Sequence, residues 1–354
     1  MIASKKLGVV IVLFNSSDII AECLERLYAS HDAQLKIVLV DNNSTDNTCD
    51  VVRDWASGRL PFSNPENSPL GHGEAVIPKP LPLEEYQLAD GRNLTTKLSL
   101  LHSPVNGGFG YAVNCGLKSL LTDQEIDLFW VLNPDCVPHP EAANAYLKRA
   151  SGGGFGLMTG LTVYYERPDK IQTFGGRVGR WTATCRQISS GLSPQTTSAP
   201  EADTVDFVTG ANLVVTRQFI EKIGLMAEDY FLYYEEVDWA FRRKEFPILL
   251  APEALVYHHG GTSIGSASVT RRASPFANYF NFRNRIRFAG RHLRASLPFV
   301  YLFAIAKAVQ LLLKGAPSEA WAIFCGVFNL QPPREVSRRI TDKSARQFAF
   351  GRID

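Results

Sequence analysis

The apolar positions of the chain fall into short blocks of two kinds. LGVVIVLF (7–14) is an unbroken, largely β-branched run, the pattern of a parallel strand covered on both faces. LKIVLVD (35–41), KLSLLHS (97–103) and IDLFWVLNPD (126–135) repeat it. Between them, IIAECLERLYAS and CDVVRDWAS carry helical spacing, the first behind turn and N-cap residues at Asn15–Asp18. Strand–helix–strand–helix order predicts an α/β fold with a mostly parallel central sheet flanked by helices. Further strands are expected within 152–165, 206–216 and 246–259, and FLYYEEVDWAFRR predicts a helix opening near Glu235. From Arg271 to about residue 326 the chain reads as helical, and from Gln331 as a polar tail. Residues 58–96 break the rhythm with Pro, Gly and Ser and are expected to form an irregular surface insertion. The expected organisation is a domain over 1–270, a helical C-terminal region over 271–330, and the tail over 331–354.

Composition adds little to this picture. The chain is 45% hydrophobic and 20% charged with a net charge of +2, which suits a globular protein with a sizeable core. Six cysteines lie far apart without CxxC spacing, so zinc or dithiol chemistry is not expected. MIASKKLGVVIVLFNSSD looks superficially like a signal peptide, but its apolar run is short and lacks a small-residue cleavage site. Reduced thiols and a buried first strand predict a cytoplasmic protein. One local bias stands out: seven arginines and no acid between Arg271 and Arg294. No RNP-like or helix-turn-helix pattern accompanies them, so no nucleic-acid partner is expected.

Candidate chemistry gathers at one end of the expected sheet. Ligands bind beyond the carboxyl ends of parallel strands, and Asn15–Asp18, Asp41–Thr48, Asn106–Gly110 and Asn133–Asp135 all fall there. There is no GxxxxGK[ST] loop, and GGFGYAVNCG is not a GxGxxG following the first strand. Asp135, at the end of a buried strand, is placed either to hold Mg²⁺ or Mn²⁺ against a diphosphate or merely to cap a turn. On the helix opening near Glu235, Glu235, Asp238 and Arg242 share one face, with Asp238 and Arg242 spaced as an i,i+4 pair. An ordinary first turn explains Glu235 and Asp238 well and Glu236 poorly.

VIVLFNSSDIIAECLERL, LVDNNSTDNT, NGGFGYAVNCGL, LNPDC and FVTGANLVVTRQFIEKIGLMAEDYFLYYEEVDWAFRR, in this order, resemble inverting glycosyltransferases of family 2, most closely the bacterial rhamnosyltransferase-type branch. The resemblance covers about residues 7–292, with 58–96 as an interruption. It implies a GT-A fold, a nucleotide-sugar donor, and a single displacement that inverts the anomeric carbon. It places Asn15 and Asp41 around the nucleoside, with Asn106 and the Gly107–Gly108 backbone beside them. Asp135 matches the last carboxylate of the family's DxD-type metal motif, and Asn133 stands where many relatives carry the first Asp. One charge fewer implies weaker metal binding. His258, in VYHHGGTS, matches a histidine that contacts metal or diphosphate, and His259 is read as structural.

The resemblance also bears on the acids. The family's motif reads Glu-Asp or Asp-Asp, with the second acid as base. That position is Glu236, and Glu235 and Asp238 are the alternatives. Arg283, in NFRNR, matches an Arg-Asn motif at the active-site rim, suited to the diphosphate or an acceptor phosphate. The other arginines, with the apolar 297–314 segment, suit either solvent or peripheral contact with an anionic membrane, the latter fitting a lipid-linked saccharide acceptor. A dTDP-rhamnose donor is the first expectation. The alternatives are a UDP-galactofuranosyl- or other hexosyltransferase, and a non-catalytic nucleotide-sugar-binding subunit.

Overall fold

The computed structural model describes residues 6–30, 33–71, 77–88, 94–260 and 272–351. Its strands are β1 (Lys6–Leu13), β2 (Gln34–Asp41), β3 (Leu83–Gln87), β4 (Leu98–His102), β5 (Leu128–Leu132), β6 (Cys136–Pro138), β7 (Leu157–Tyr164), β8 (Ile171–Thr173), β9 (Gly176–Val178), β10 (Cys185–Gln187), β11 (Asn212–Thr216) and β12 (Ile248–His258). The helices are α1 (Ile20–Tyr28), α2 (Thr48–Ser57), α3 (Phe109–Leu121), α4 (Ala142–Ala150), α5 (Arg217–Ile223), α6 (Glu235–Phe241), α7 (Pro275–His292), α8 (Leu297–Leu313), α9 (Pro317–Val327), α10 (Arg334–Ser337) and α11 (Lys343–Phe350).

The central sheet runs β3-β4-β2-β1-β5-β11-β7-β12-β6, with β8 paired to β7. From β3 to β5 every pairing is parallel, and β11 then enters antiparallel between β5 and β7. The two-residue period of a strand sorts the core into two layers. Val10, Val12, Val38 and Val40 face one layer, which includes α3 and α6. Val9, Ile11, Ile37 and Leu39 face the other, against α1, α2 and α4. With both faces covered, alternation of polar residues is lost, which is why these strands read as solid apolar runs. The architecture is the expected mixed α/β sheet of GT-A type with a helical C-terminal region.

Two expectations need correction, and a third gains detail. The 58–96 segment is not wholly irregular: β3 extends the parallel sheet beside β4. Its residues LEEYQ bury only Tyr86, so an edge strand among prolines left almost no apolar signal. The helical region is three helices, interrupted at residues 293–296 and 314–316. The 331–354 stretch contains α10 and α11, and Val336, Ile340, Ala345 and Ala349 bury themselves with Phe276 and Phe280 of α7. Ala345 and Ala349 lie one turn apart, so α11 docks a narrow small-residue face, leaving Lys343, Ser344, Arg346, Gln347 and Phe348 exposed. Residues 261–271, which include the expected domain boundary and Arg271, lie outside the described residues, as do 72–76 and 89–93 of the 58–96 segment.

Candidate active site

The carboxyl ends of β1, β2, β4 and β5 open on one rim. Asn15, just after β1, takes a left-handed φ of 51° and accepts hydrogen bonds from Thr45 N (2.8 Å) and Thr45 Oγ1 (3.3 Å). Asp41 ends β2, is buried, and accepts from Ser44 N at 3.0 Å. Burial alone would raise its pKa, but hydrogen bonds led by His102 and Ser44 hold it below the usual carboxylate range. His102, at the end of β4, sits 3.8 Å from Asp41 and 3.0 Å from Glu85 of β3. Asp41 first, then Cys49 and Glu85, push its pKa up to about 10.

Sequence reasoning did not single out Asn42, which is 3% exposed. Its Nδ2 donates to Asn106 Oδ1 (3.0 Å) and Gly108 O (3.3 Å), and its Oδ1 accepts from Gly107 N (3.1 Å). One side chain therefore clasps the glycine loop to the end of β2. Gly108 has a φ of +89°, which disfavours any L side chain. A Cβ there would also collide with the carbonyl oxygen of Phe231 and lie 2.6 Å from its Cα. Phe109 N donates to that same carbonyl at 2.8 Å. The glycine loop thus rests directly on the segment leading into α6.

That segment is strained. Phe231, Tyr233 and Tyr234 all have left-handed φ, at 64°, 69° and 75°. Such conformations persist only where neighbours enforce them. Asn284 of α7, fully buried, supplies the restraint through Nδ2, which donates to the carbonyls of Tyr230 (2.8 Å), Leu232 (2.6 Å) and Tyr233 (3.0 Å). Arg283 was expected at the diphosphate rim but lies 2% exposed beneath this turn. It donates to Ala349 O of α11, to Tyr230 O (2.9 Å) and to Asn284 Oδ1 (3.1 Å), and stacks over Phe280. Burial lowers its pKa to about 10. The Arg-Asn pair thus shapes the backbone that presents the acids.

The three carboxylates of α6 have different surroundings. Asp238 is 1% exposed and accepts from Arg242 Nε (2.8 Å), Tyr230 Oη (3.2 Å) and His292 Nε2 (2.8 Å). Burial pushes its pKa up, but hydrogen bonds from His292 and Arg242 outweigh it and hold the group ionised. The expected i,i+4 pair forms, in a buried network instead of a solvated first turn. Glu235 is 3% exposed, and its Oε2 has no hydrogen-bond partner among the described residues. Burial, then the neighbouring Glu236, raises its pKa well above the ordinary value. A Cβ on Gly110 would lie 3.5 Å from Glu235 Cβ, so α3 covers this acid.

Glu236 is only partly buried. Desolvation pushes its pKa up to about 7, against the stabilising amides of Glu236 and Val237 at the helix start. Its Cβ lies 3.9 Å from where a Cβ on Gly210 would sit. The next residue, Ala211, accepts through its carbonyl from Asn133 N (3.0 Å) and Cys136 Sγ (3.3 Å). The Gly210–Ala211 turn therefore has Glu236 on one side and the Asn133–Cys136 segment on the other.

Asp135 is 6% exposed, and its Oδ1 lies 3.1 Å from Nε2 of His258 at the end of β12. His258 Nδ1 lies 2.6 Å from Gln172 Oε1, a partner that sequence reasoning missed. An acceptor at Nδ1 requires the proton there, which leaves the Nε2 lone pair facing a carboxylate oxygen. Burial opposes ionisation of Asp135, but His258 and then His259 hold its pKa below the ordinary range. Cys136 lies in the same cluster, its thiol donating to Ala211 O at 3.3 Å, and burial raises its pKa well above the usual value. A carboxylate and an imidazole oriented by an outer amide fit the ligand preferences of Mg²⁺ or Mn²⁺. Asn133, partly exposed, borders this pair with one charge fewer than an Asp. His259 turns away, stacking on Tyr165 and bonding Glu166 at 2.7 Å.

Residues 8–76 match the family model of Glycosyl transferase family 2. No curated protein matches the chain. The structure is similar to GalNAc-T7 with UDP, GalNAc and Mn²⁺, at a TM-score of 0.55 and 12% identity over 99% of this chain and 58% of that one. It is also similar to the mannosyltransferase PcManGT from Pyrobaculum calidifontis with GDP-Man and Mn²⁺ (TM-score 0.48, 15% identity, 91% of this chain and 86% of that one). A third similar structure is S. aureus TarS 1–349 (TM-score 0.47, 14% identity, 98% of this chain and 88% of that one). At such low identity it is the fold that is shared. The chain has a GT-A fold, and residues 8–76, its opening strands and helices, match the model of Glycosyl transferase family 2.

Proposed function

We propose that this chain is an inverting glycosyltransferase that moves a sugar from a nucleoside-diphosphate donor to a hydroxyl of a glycan or lipid-linked saccharide. The observation that carries the reading is Glu236: a partly exposed carboxylate with a pKa of about 7, across the Gly210–Ala211 turn from the segment that carries Asp135. A base near neutrality takes a proton efficiently at physiological pH. Glu236 accepts the proton of the acceptor hydroxyl as that oxygen forms its bond to the anomeric carbon. The bond from that carbon to the diphosphate breaks on the opposite face, so configuration inverts.

Asp135 and His258 would hold Mg²⁺ or Mn²⁺, whose chemistry is to neutralise the charge gathering on the leaving diphosphate. Asn15 and Asp41 border the nucleoside, with Asn106 and the Gly107–Gly108 backbone nearby. Glu235, protonated and covered, and Asp238, committed to Arg242 and His292, set the position of Glu236. Arg283 and Asn284 hold the turn before it. A dTDP-rhamnose donor is our first choice, on the likeness of the motifs, with UDP-galactofuranose or another UDP-hexose next.

Calorimetric titration of UDP, dTDP, GDP and their sugars, with and without Mn²⁺, tests the reading on wild type, Asp135→Ala and Glu236→Gln. We expect metal-enhanced binding of one nucleotide, weakened in Asp135→Ala, and normal binding but no transfer or donor hydrolysis in Glu236→Gln. Binding without any turnover by wild type would instead identify a non-catalytic nucleotide-sugar-binding subunit. Binding of none of these nucleotides would overturn the proposal.

A further inference from the structure

The C-terminal helices leave an apolar face bare. Along α8, Val300, Ala304 and Ala308 turn inward. Phe299, Leu302 and Leu313 turn outward, Leu302 and Leu313 being 64% and 84% exposed. On α9, Trp321 (53% exposed) stacks on Phe324 with ring centroids 5.5 Å apart. Trp181, at the tip of the β9–β10 hairpin and 64% exposed, packs edge-on against Phe299 at 5.0 Å and continues the face. Among the described residues, Arg294–Leu313 is the one helix long and apolar enough to cross a membrane, and less than a third of it is buried. Its inner side packs on α7 and α9, so it lies along the domain. A bare apolar surface this continuous marks an interaction site.

Charge decides what covers it. After residue 270 the sequence has 15 Lys and Arg against 4 Asp and Glu, while the first 270 residues have 22 against 31. Arg294, Lys307 and Lys314 are exposed along α8 and its ends, and between Arg272 and Arg334 the only acid is Glu319. A second copy docking symmetrically would bring this basic rim against itself. An anionic bilayer offers the opposite charge to the rim, acyl chains to the face, and an interface suited to tryptophan.

We propose that the α8–α9 face, with Trp181, lies in the surface of an anionic phospholipid bilayer and holds the protein there as a peripheral, in-plane anchor. The β9–β10 hairpin joins that face to the segment leading into α6: its tip carries Trp181, and Ala183 O accepts from Tyr234 Oη at 2.7 Å. The anchor stands whether or not the cleft transfers sugar.

The test is co-sedimentation of the full chain with vesicles of phosphatidylcholine alone or with about 30% phosphatidylglycerol, alongside light scattering without lipid. We expect a partition coefficient at least about tenfold higher on the anionic vesicles, falling about tenfold in Leu302→Ser/Leu313→Ser. Arg294→Glu/Lys314→Glu should lose the preference for anionic lipid, as should wild type in about 0.5 M salt. Nucleotide binding should be unchanged in both double variants, which separates failure of the anchor from failure of the cleft reading. No partition into anionic vesicles would overturn the proposal, as would partition that neither variant alters. So would a wild-type dimer that Leu302→Ser/Leu313→Ser splits and that does not bind lipid.

Discussion

Replacing Glu236 by Gln should stabilise the protein while abolishing its reaction, and the gain should depend on pH. The carboxyl titrates at about 7 in the folded chain against 4.5 ordinarily, chiefly because folding desolvates it. A carboxyl raised on folding contributes fully below its unfolded pKa, and that contribution drains away as pH rises through the folded one. The gap of about 2.5 units, at about 1.4 kcal/mol each, bounds the loss above neutrality near 3 kcal/mol. Partial exposure reduces this to roughly 2–3 kcal/mol. Gln keeps the shape without the charge, so Glu236→Gln should gain that amount near about pH 8 and only about a quarter of it near about pH 5, where the unfolded carboxyl is already mostly ionised. With an unfolding entropy of about 2.1 cal/mol/K per residue, the 354-residue chain should melt about 3–4 °C higher at the alkaline pH. Differential scanning calorimetry at both pH values reads this directly. A variant that loses stability at both, or gains equally at both, would refute a desolvated, ionisable Glu236 and with it the physical basis for a base at that position.

Wild-type transfer should rise with pH through about 7 and then level off, because only the ionised form of Glu236 accepts a proton; a flat rate–pH profile would count against it. Asp238→Ala strands Arg242 and His292 around a missing buried partner and should cost about 3 kcal/mol, read as a lower urea midpoint. Asn284→Ala frees three carbonyls of the left-handed turn. It should reduce kcat at least about tenfold while leaving the donor Kd within about threefold, measured by kinetics and calorimetry side by side. Removing divalent metal with a chelator should weaken nucleotide binding in wild type and change little in Asp135→Ala, as calorimetry would show.

The sheet could be read from the sequence because strands covered on both faces have no choice but to be apolar throughout. β1, β2, β4 and β5 announced themselves that way. β3 did not, since an edge strand that buries only Tyr86, among prolines, carries no such run. Glu235 as the first residue of α6 was legible from the spacing of the acids and Arg242. What surrounds Glu235 and Asp238 was not, because it depends on α3 covering Glu235 and on His292 reaching Asp238 from 54 residues away. Arg283 shows the limit most plainly: charge suggests a phosphate ligand, and only packing reveals that backbone carbonyls occupy its guanidinium. Asn42 and Asn284 were visible as amides, but an amide becomes a clasp only when its carbonyl partners are known.

The contact between Gly108 and Phe231 carries a kinetic consequence. Because the loop clasped by Asn42 rests on the Phe231 carbonyl, a donor that settles the loop also settles the turn that aims Glu236. An acceptor arriving at an empty cleft would meet that turn before the donor has braced it. Initial-rate patterns should therefore show compulsory order, donor first and nucleotide last to leave. The free nucleotide should then compete with the donor and inhibit noncompetitively against the acceptor.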